Sequence, residues 1–164
     1  MKKIIVLIFI CSSFFSCKNE KIAYMDIKVV FNNFKYKQEL EKELTEIKNQ
    51  RKFKLDSLEA QLKLLSNKIK FDSKNNNLMA QFQTEKELYL KQKYIFEEEE
   101  SAMVTSYDNK IISQLNSYVK EFGKKNNYTM ILGATNDGNV MYADTSLNIS
   151  KEIIEFINNK YNGN

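Results

Sequence analysis

Between Phe34 and Phe122 the chain contains neither glycine nor proline, and it is crowded with Lys, Glu, Gln and Leu. These straight-chain residues lose least on entering a helix, so the stretch predicts one very long helical region. Its interior break is Asp72-Ser73-Lys74-Asn75-Asn76-Asn77, where short polar side chains compete with the helix for backbone hydrogen bonds. Two long helices folded into a hairpin about a tip near residues 72–77 follow from that pattern. At ~1.5 Å per residue, an arm of nearly forty residues reaches about 55 to 60 Å.

The apolar positions show how such arms hold together. On the ascending arm Leu40, Leu44 and Ile47, then Leu55, Leu58, Leu62, Leu65 and Ile69, step by threes and fours, the spacing of a coiled-coil seam. Arg51 interrupts that seam, and the added four-residue step unwinds a supercoil locally. On the descending arm Phe82, Tyr89, Phe96 and Met103 recur every seven residues, with Leu88, Ile95 and Ala102 beside them. Val104, Tyr107, Ile111, Leu115, Tyr118 and Phe122 continue the seam downward. Most of these positions are expected to pack arm against arm. The descending stripe is nonetheless wider than two helices need, which marks Tyr89, Tyr94, Phe96 and Tyr107 as candidates for a space shared between copies.

Charge is distributed unevenly along the hairpin. Lys48, Arg51, Lys52, Lys54, Lys63, Lys68, Lys70 and Lys74 face only Asp56, Glu59 and Asp72 in the same interval, whereas Glu97 to Glu100 form an acidic band on the other arm. A solvated helix surface accounts for this equally well as a basic arm that attracts acidic clients or anionic lipid headgroups, worth ~1 kcal/mol per basic residue near such a membrane. The formal net charge of the whole chain is only +4. Nucleic acid is not an expected partner.

Several function classes drop out on composition. The chain has no histidine, no tryptophan and only Cys11 and Cys17. That removes the usual transition-metal ligand sets, a histidine-based nucleophilic triad and a disulfide framework. No catalytic residue, cofactor or metal is expected; Asp26, Asp137 and Asp144 read as strand-end and turn residues.

The first residues read as an address. Met1-Lys2-Lys3 followed by Ile4 to Ile10 is a basic start and a short apolar core, the build of a secretory signal peptide covering residues 1–16. It is short for a membrane span, which needs ~20 apolar residues. Phe14-Phe15-Ser16-Cys17 resembles a bacterial lipoprotein cleavage box, with Phe14 departing from the usual leucine. Cys17 is therefore the expected lipid attachment site. Cleavage before it removes Lys2 and Lys3, leaving 23 of the 25 basic residues against 21 acidic ones.

The ends of the mature chain, residues 17–33 and 123–164, read as a small body. Lys21 to Asp26 predicts a strand, Val29-Val30-Phe31 a short helix, and Asn32-Asn33 a break. Gly123 stands where the descending helix is expected to end. Tyr128 to Leu132 predicts a second strand, Asp137-Gly138 a turn, and Asn139 to Ala143 a third strand. Ser150 is expected to cap a last helix with Ile153, Ile154, Phe156 and Ile157 on its apolar face. The fold class is α+β and predominantly α, a three-stranded body carrying a coiled-coil hairpin. Open sheet edges invite pairing with another copy.

Taken in order, Lys21-Ile22-Ala23-Tyr24-Met25-Asp26 with Val30-Phe31, the charged hairpin, Tyr128 to Leu132, Val140 to Asp144, and Asn148-Ile149-Ser150 before a helix ending Ile157-Asn158 resemble the Skp/OmpH family of periplasmic chaperones. The resemblance implies a homotrimer whose strands form a common barrel, with the hairpins as tentacles around a cavity. It implies an ATP-independent holdase for unfolded outer-membrane proteins. Ile22, Tyr24, Met130, Leu132, Val140 and Tyr142 would belong to the trimer body, and residues 34–122 to the tentacles. The lipid cysteine departs from that family's diffusing members and implies tethering in the periplasm of a Gram-negative envelope. A structural lipoprotein, using its coiled coil as a spacer or tether, is the alternative reading.

Overall fold

The computed structural model describes residues 20–135 and 138–162. The expected signal peptide, Cys17 and the Asn136-Asp137 part of the expected turn lie outside the described residues. In chain order the elements are β1 (Ile22–Asp26), α1 (Ile27–Asn32), α2 (Lys35–Phe71), α3 (Asn76–Lys125), β2 (Met130–Ala134), a 3-10 turn (Thr145–Leu147) and α4 (Ser150–Tyr161). Two long helices, α2 and α3, form the expected hairpin. A small α+β body closes its lower end.

Local chemistry sets each boundary. Asp26 caps α1 by accepting a hydrogen bond from the Val29 N–H at 2.9 Å. At the tip α2 stops at Phe71, and Asn75 caps α3 through its side-chain oxygen on the Leu78 N–H at 3.1 Å. The Asn75 amide also donates to Asp72 at 3.0 Å, so the turn is tied within itself. Asn76 and Asn77, read from the sequence as part of the break, open α3 instead.

The lower end of α3 corrects the glycine expectation. The helix continues through Gly123 to Lys125, and Asn127 takes the left-handed conformation with φ 56°. The Tyr128 N–H then reaches back to the Gly123 carbonyl at 2.9 Å and the Asn127 N–H to that of Lys124 at 3.3 Å, the two bonds of a Schellman closure. Asparagine tolerates this backbone better than most residues, so the helix needs no glycine at its end. Gly123 serves packing: a Cβ there would lie 3.3 Å from Ile131 Cδ1, so its absence lets β2 approach the helix.

The sheet has two strands, β1 and β2, paired in parallel with Ile22 opposite Met130, Tyr24 opposite Leu132 and Asp26 opposite Ala134. β2 begins two residues later than the sequence suggested. The expected third strand, Asn139 to Ala143, does not form a ladder. Asn139 supplies the reason: its side-chain oxygen accepts from the Thr135 N–H at 2.8 Å and its amide donates to the Gly133 carbonyl at 2.6 Å. A side chain thus takes up backbone groups that a hairpin would have paired. On the other side of β1, Tyr24 makes an isolated parallel bridge with Asn148 and accepts from the Ile149 N–H at 2.9 Å.

The core sits between this sheet and the lower ends of the helices. Val30, Phe34, Ile153 and Ile157 are fully buried, with Ile111, Leu115 and Phe122 of α3 closing over them. Phe34 lies edge-on to Tyr36, Tyr118 and Tyr161 at centroid distances of 5.8, 6.1 and 6.2 Å. Ser150 does not cap α4 through its side chain as expected. Its hydroxyl accepts from the Asp26 N–H at 2.8 Å and donates to Asn148 at 2.6 Å, joining the helix to the end of β1. α4 in turn secures the arm: Asn158 accepts from the Lys35 N–H and donates to the Asn33 carbonyl, both at 2.9 Å, capping α2 from across the body.

Candidate functional site

The β1–β2 pair has two unlike faces. Ala23 and Met25 point into the core, whereas Ile22, Met130 and Leu132 remain exposed on the other side and Tyr24 is half-buried there. The alternation of a strand places all four on one face, an apolar surface with no cover among the described residues. Val140 and Tyr142, expected in the same surface, lie outside the sheet; Val140 is half-buried and Tyr142 is 85% exposed. The sequence reading thus brings four of its six body residues together.

The arms present a second surface. Leu40, Leu44, Ile47, Leu55, Leu58, Leu62, Leu65 and Ile69 are half-buried in the seam as expected, opposite Phe82, Tyr89, Phe96, Met103 and Tyr107. Three of the four aromatics nominated for a shared space, Tyr89, Phe96 and Tyr107, are therefore engaged between the arms. Burial and a hydrogen bond with Glu43 push the Tyr107 hydroxyl pKa up. Tyr94 alone faces outward, 63% exposed.

The basic residues divide in the same way. Arg51 fills the seam interruption, donating to the Phe96 carbonyl at 3.2 Å and to Glu99 at 2.6 Å, with its guanidinium 5.0 Å from the Phe96 ring. Lys48 pairs with Glu100 at 2.8 Å. These two members of the basic set thus bind the acidic band of the other arm, and the band is partly consumed within the hairpin. Lys54 approaches the same Phe96 ring at 5.7 Å. Among the described residues Lys52, Lys54, Lys63, Lys68, Lys70 and Lys74 form no ion pair, and all six are exposed.

Three exposed apolar residues escaped the sequence reading. Phe53 is 78% exposed and Phe71 92%, and Leu64 stands open between them. Their separations of eleven and seven residues are close to whole numbers of helical turns, so they share one outer face of α2. The signal was present, since each falls out of register with the seam. The Lys52, Lys54, Lys63, Lys68, Lys70 and Lys74 side chains flank this stripe in sequence.

Among the described residues no group of three or more His, Cys, Asp or Glu could hold a metal, and no helix is long and apolar enough to cross a membrane. What the geometry offers is contact area: apolar and cationic groups spread along two projecting helices, and an apolar sheet face at their base. The family model for outer membrane protein (OmpH-like) matches residues 21–157, and the chain belongs to that family. It is a chaperone family, not an enzymatic one. In fold the chain is similar to a candidate outer membrane chaperone (OmpH-like) from Caulobacter crescentus CB15, with a TM-score of 0.74 over 86% of this chain and 85% of that one at 11% identity. No curated protein matches it. Membership points to outer-membrane proteins as substrates and to the periplasm as location.

Proposed function

We propose that this protein is an ATP-independent holdase, working as a homotrimer that keeps unfolded outer-membrane or periplasmic proteins between its helical arms. The observation that carries the reading is the outward stripe of Phe53, Leu64 and Phe71 among unpaired lysines on α2. Many weak apolar and electrostatic contacts along an arm hold an unfolded chain without selecting one conformation of it, and they shield its sticky segments from other clients. Ile22, Tyr24, Met130 and Leu132 form the surface through which three bodies join, and Val140 and Tyr142 complete it once copies meet. Lipidation of Cys17 keeps the trimer on a membrane.

The test is aggregation of a β-barrel protein diluted from denaturant, followed by light scattering with the mature chain carrying Cys17→Ser. Suppression at about one trimer per client is expected; no suppression at any salt concentration sinks the proposal. Capture weakens at high salt, where the Debye length falls to ~3 Å and the lysines lose their reach. The alternative, a structural spacer lipoprotein, calls for a dimer with its hairpins zipped together. A sedimentation measurement of the same lipid-free chain separates the two.

A further inference from the structure

We infer that the tethered protein stands with its body against the anchoring membrane and its arm tips pointing away from it. The inference rests on the reading of Cys17 as the lipid site and concerns the polarity that the fold then imposes. Lys21 is fixed at the foot of the molecule. Its carbonyl accepts from the Thr129 N–H at 2.8 Å, and its ammonium donates to the Asn126 carbonyl at 3.1 Å and lies 4.0 Å from the Tyr128 ring. Asn126 is the C-cap of α3, and the same helix begins at Asn76 beside the tip. The 50 residues of α3 therefore separate Lys21 from the tip by about 75 Å. Cys17 lies four residues before Lys21, and four extended residues span at most ~14 Å. No conformation of so short a connection carries the lipid anchor to the tip.

Charge at the foot agrees with that polarity. Lys120, Lys124 and Lys125 are exposed around the end of α3, and the nearby Glu121 is already taken by Lys160 at 2.7 Å. A cationic rim is thus presented to anionic headgroups next to the acyl chains, where each such charge favours the surface. Phe71 with Lys68, Lys70 and Lys74 lies at the far end, out of reach of the same bilayer. The space between the arms consequently opens toward the aqueous phase, and a client arrives at the tips before it meets the body.

The experiment uses the full chain, expressed with its own leader, purified in detergent and reconstituted into vesicles of zwitterionic and anionic phospholipid. A fluorophore is placed by Ser73→Cys at the tip or Thr129→Cys at the foot, and energy transfer is read to an acceptor lipid whose range is shorter than an arm. Several-fold stronger transfer from the foot than from the tip is expected. Equal or reversed transfer, with the protein floating with the vesicles, overturns the orientation alone. If the unlabelled chain fails to float, or floats unchanged as Cys17→Ser, the lipid anchor itself falls and the orientation with it.

Discussion

Phe34 and Asn127 illustrate how single positions carry this fold. Phe34 is fully buried at the junction of α2, α3 and α4 with three tyrosine rings around it. Phe34→Ala should cost about 3–5 kcal/mol, read as a shift of the urea midpoint. At Asn127 the positive φ makes the direction depend on the replacement: alanine should destabilise by about 1 kcal/mol, and glycine should be neutral or better. Tyr161 adds a pH dependence. Its hydroxyl donates to Glu39, and that bond, then partial burial, then the carboxylate's charge push its pKa from 10.0 up to about 12. A group raised on folding contributes stability that is complete below its unfolded pKa and lost as pH rises through the folded one. Unfolding should therefore become easier between pH 10 and 12, and Tyr161→Phe should flatten that slope in denaturant titrations. Of these three residues only Phe34 sits in an interval the sequence marked, as the start of the long helices. Asn127 was hidden by Gly123, the conventional helix terminator four positions earlier, and Tyr161 meets Glu39 across 122 residues of chain.

Among the elements the hairpin was the most legible, because its seam repeats over many turns and each apolar step confirms the last. The third strand was not, because its fate turned on the Asn139 side chain, whose bonds to Thr135 and Gly133 no alternation of residue types encodes. Arg51 lies between these cases. Its interruption of the seam was visible, yet its partners, the Phe96 carbonyl and Glu99, lie 45 and 48 residues away. Exchanging a semi-buried ion pair for an apolar group of similar length is often neutral or stabilising, whereas truncating one partner leaves the other without its bond. Replacing both partners, Arg51→Leu together with Glu99→Gln, should keep the thermal midpoint of the arms followed by circular dichroism, and Arg51→Ala alone, which strips Glu99 and the Phe96 carbonyl of their donor, should lower it. The candidate site followed the same rule: the sheet face could be read from two alternating strands, but the outer stripe of α2 could be recognised only once the seam register was fixed.

For the whole molecule the decisive quantity is how many hairpins one assembly gathers. Leu132 stands exposed on the sheet face opposite Tyr24. Leu132→Glu puts a charge where copies are proposed to meet, at a cost that apolar contact does not recover. Sedimentation should then show a monomer with unchanged helical content, and the aggregation assay should show lost protection. A trimer that persists would move the joining surface elsewhere.

The continuity of α3 has a mechanical consequence. Residues 111–125 bury the lower end of this helix in the body, a depth of about 20 Å, while the remainder projects beyond the body for about 50 Å with α2 alone, among the described residues, packed along it. The helix is a lever with its short arm clamped. An adjustment of 1 Å at the foot of the clamp swings the tip by about 2 to 3 Å, and a load hung on the tip returns to the core as torque on Ile111, Leu115 and Phe122. A swollen client and a tight one would thus be felt by the same few buried side chains.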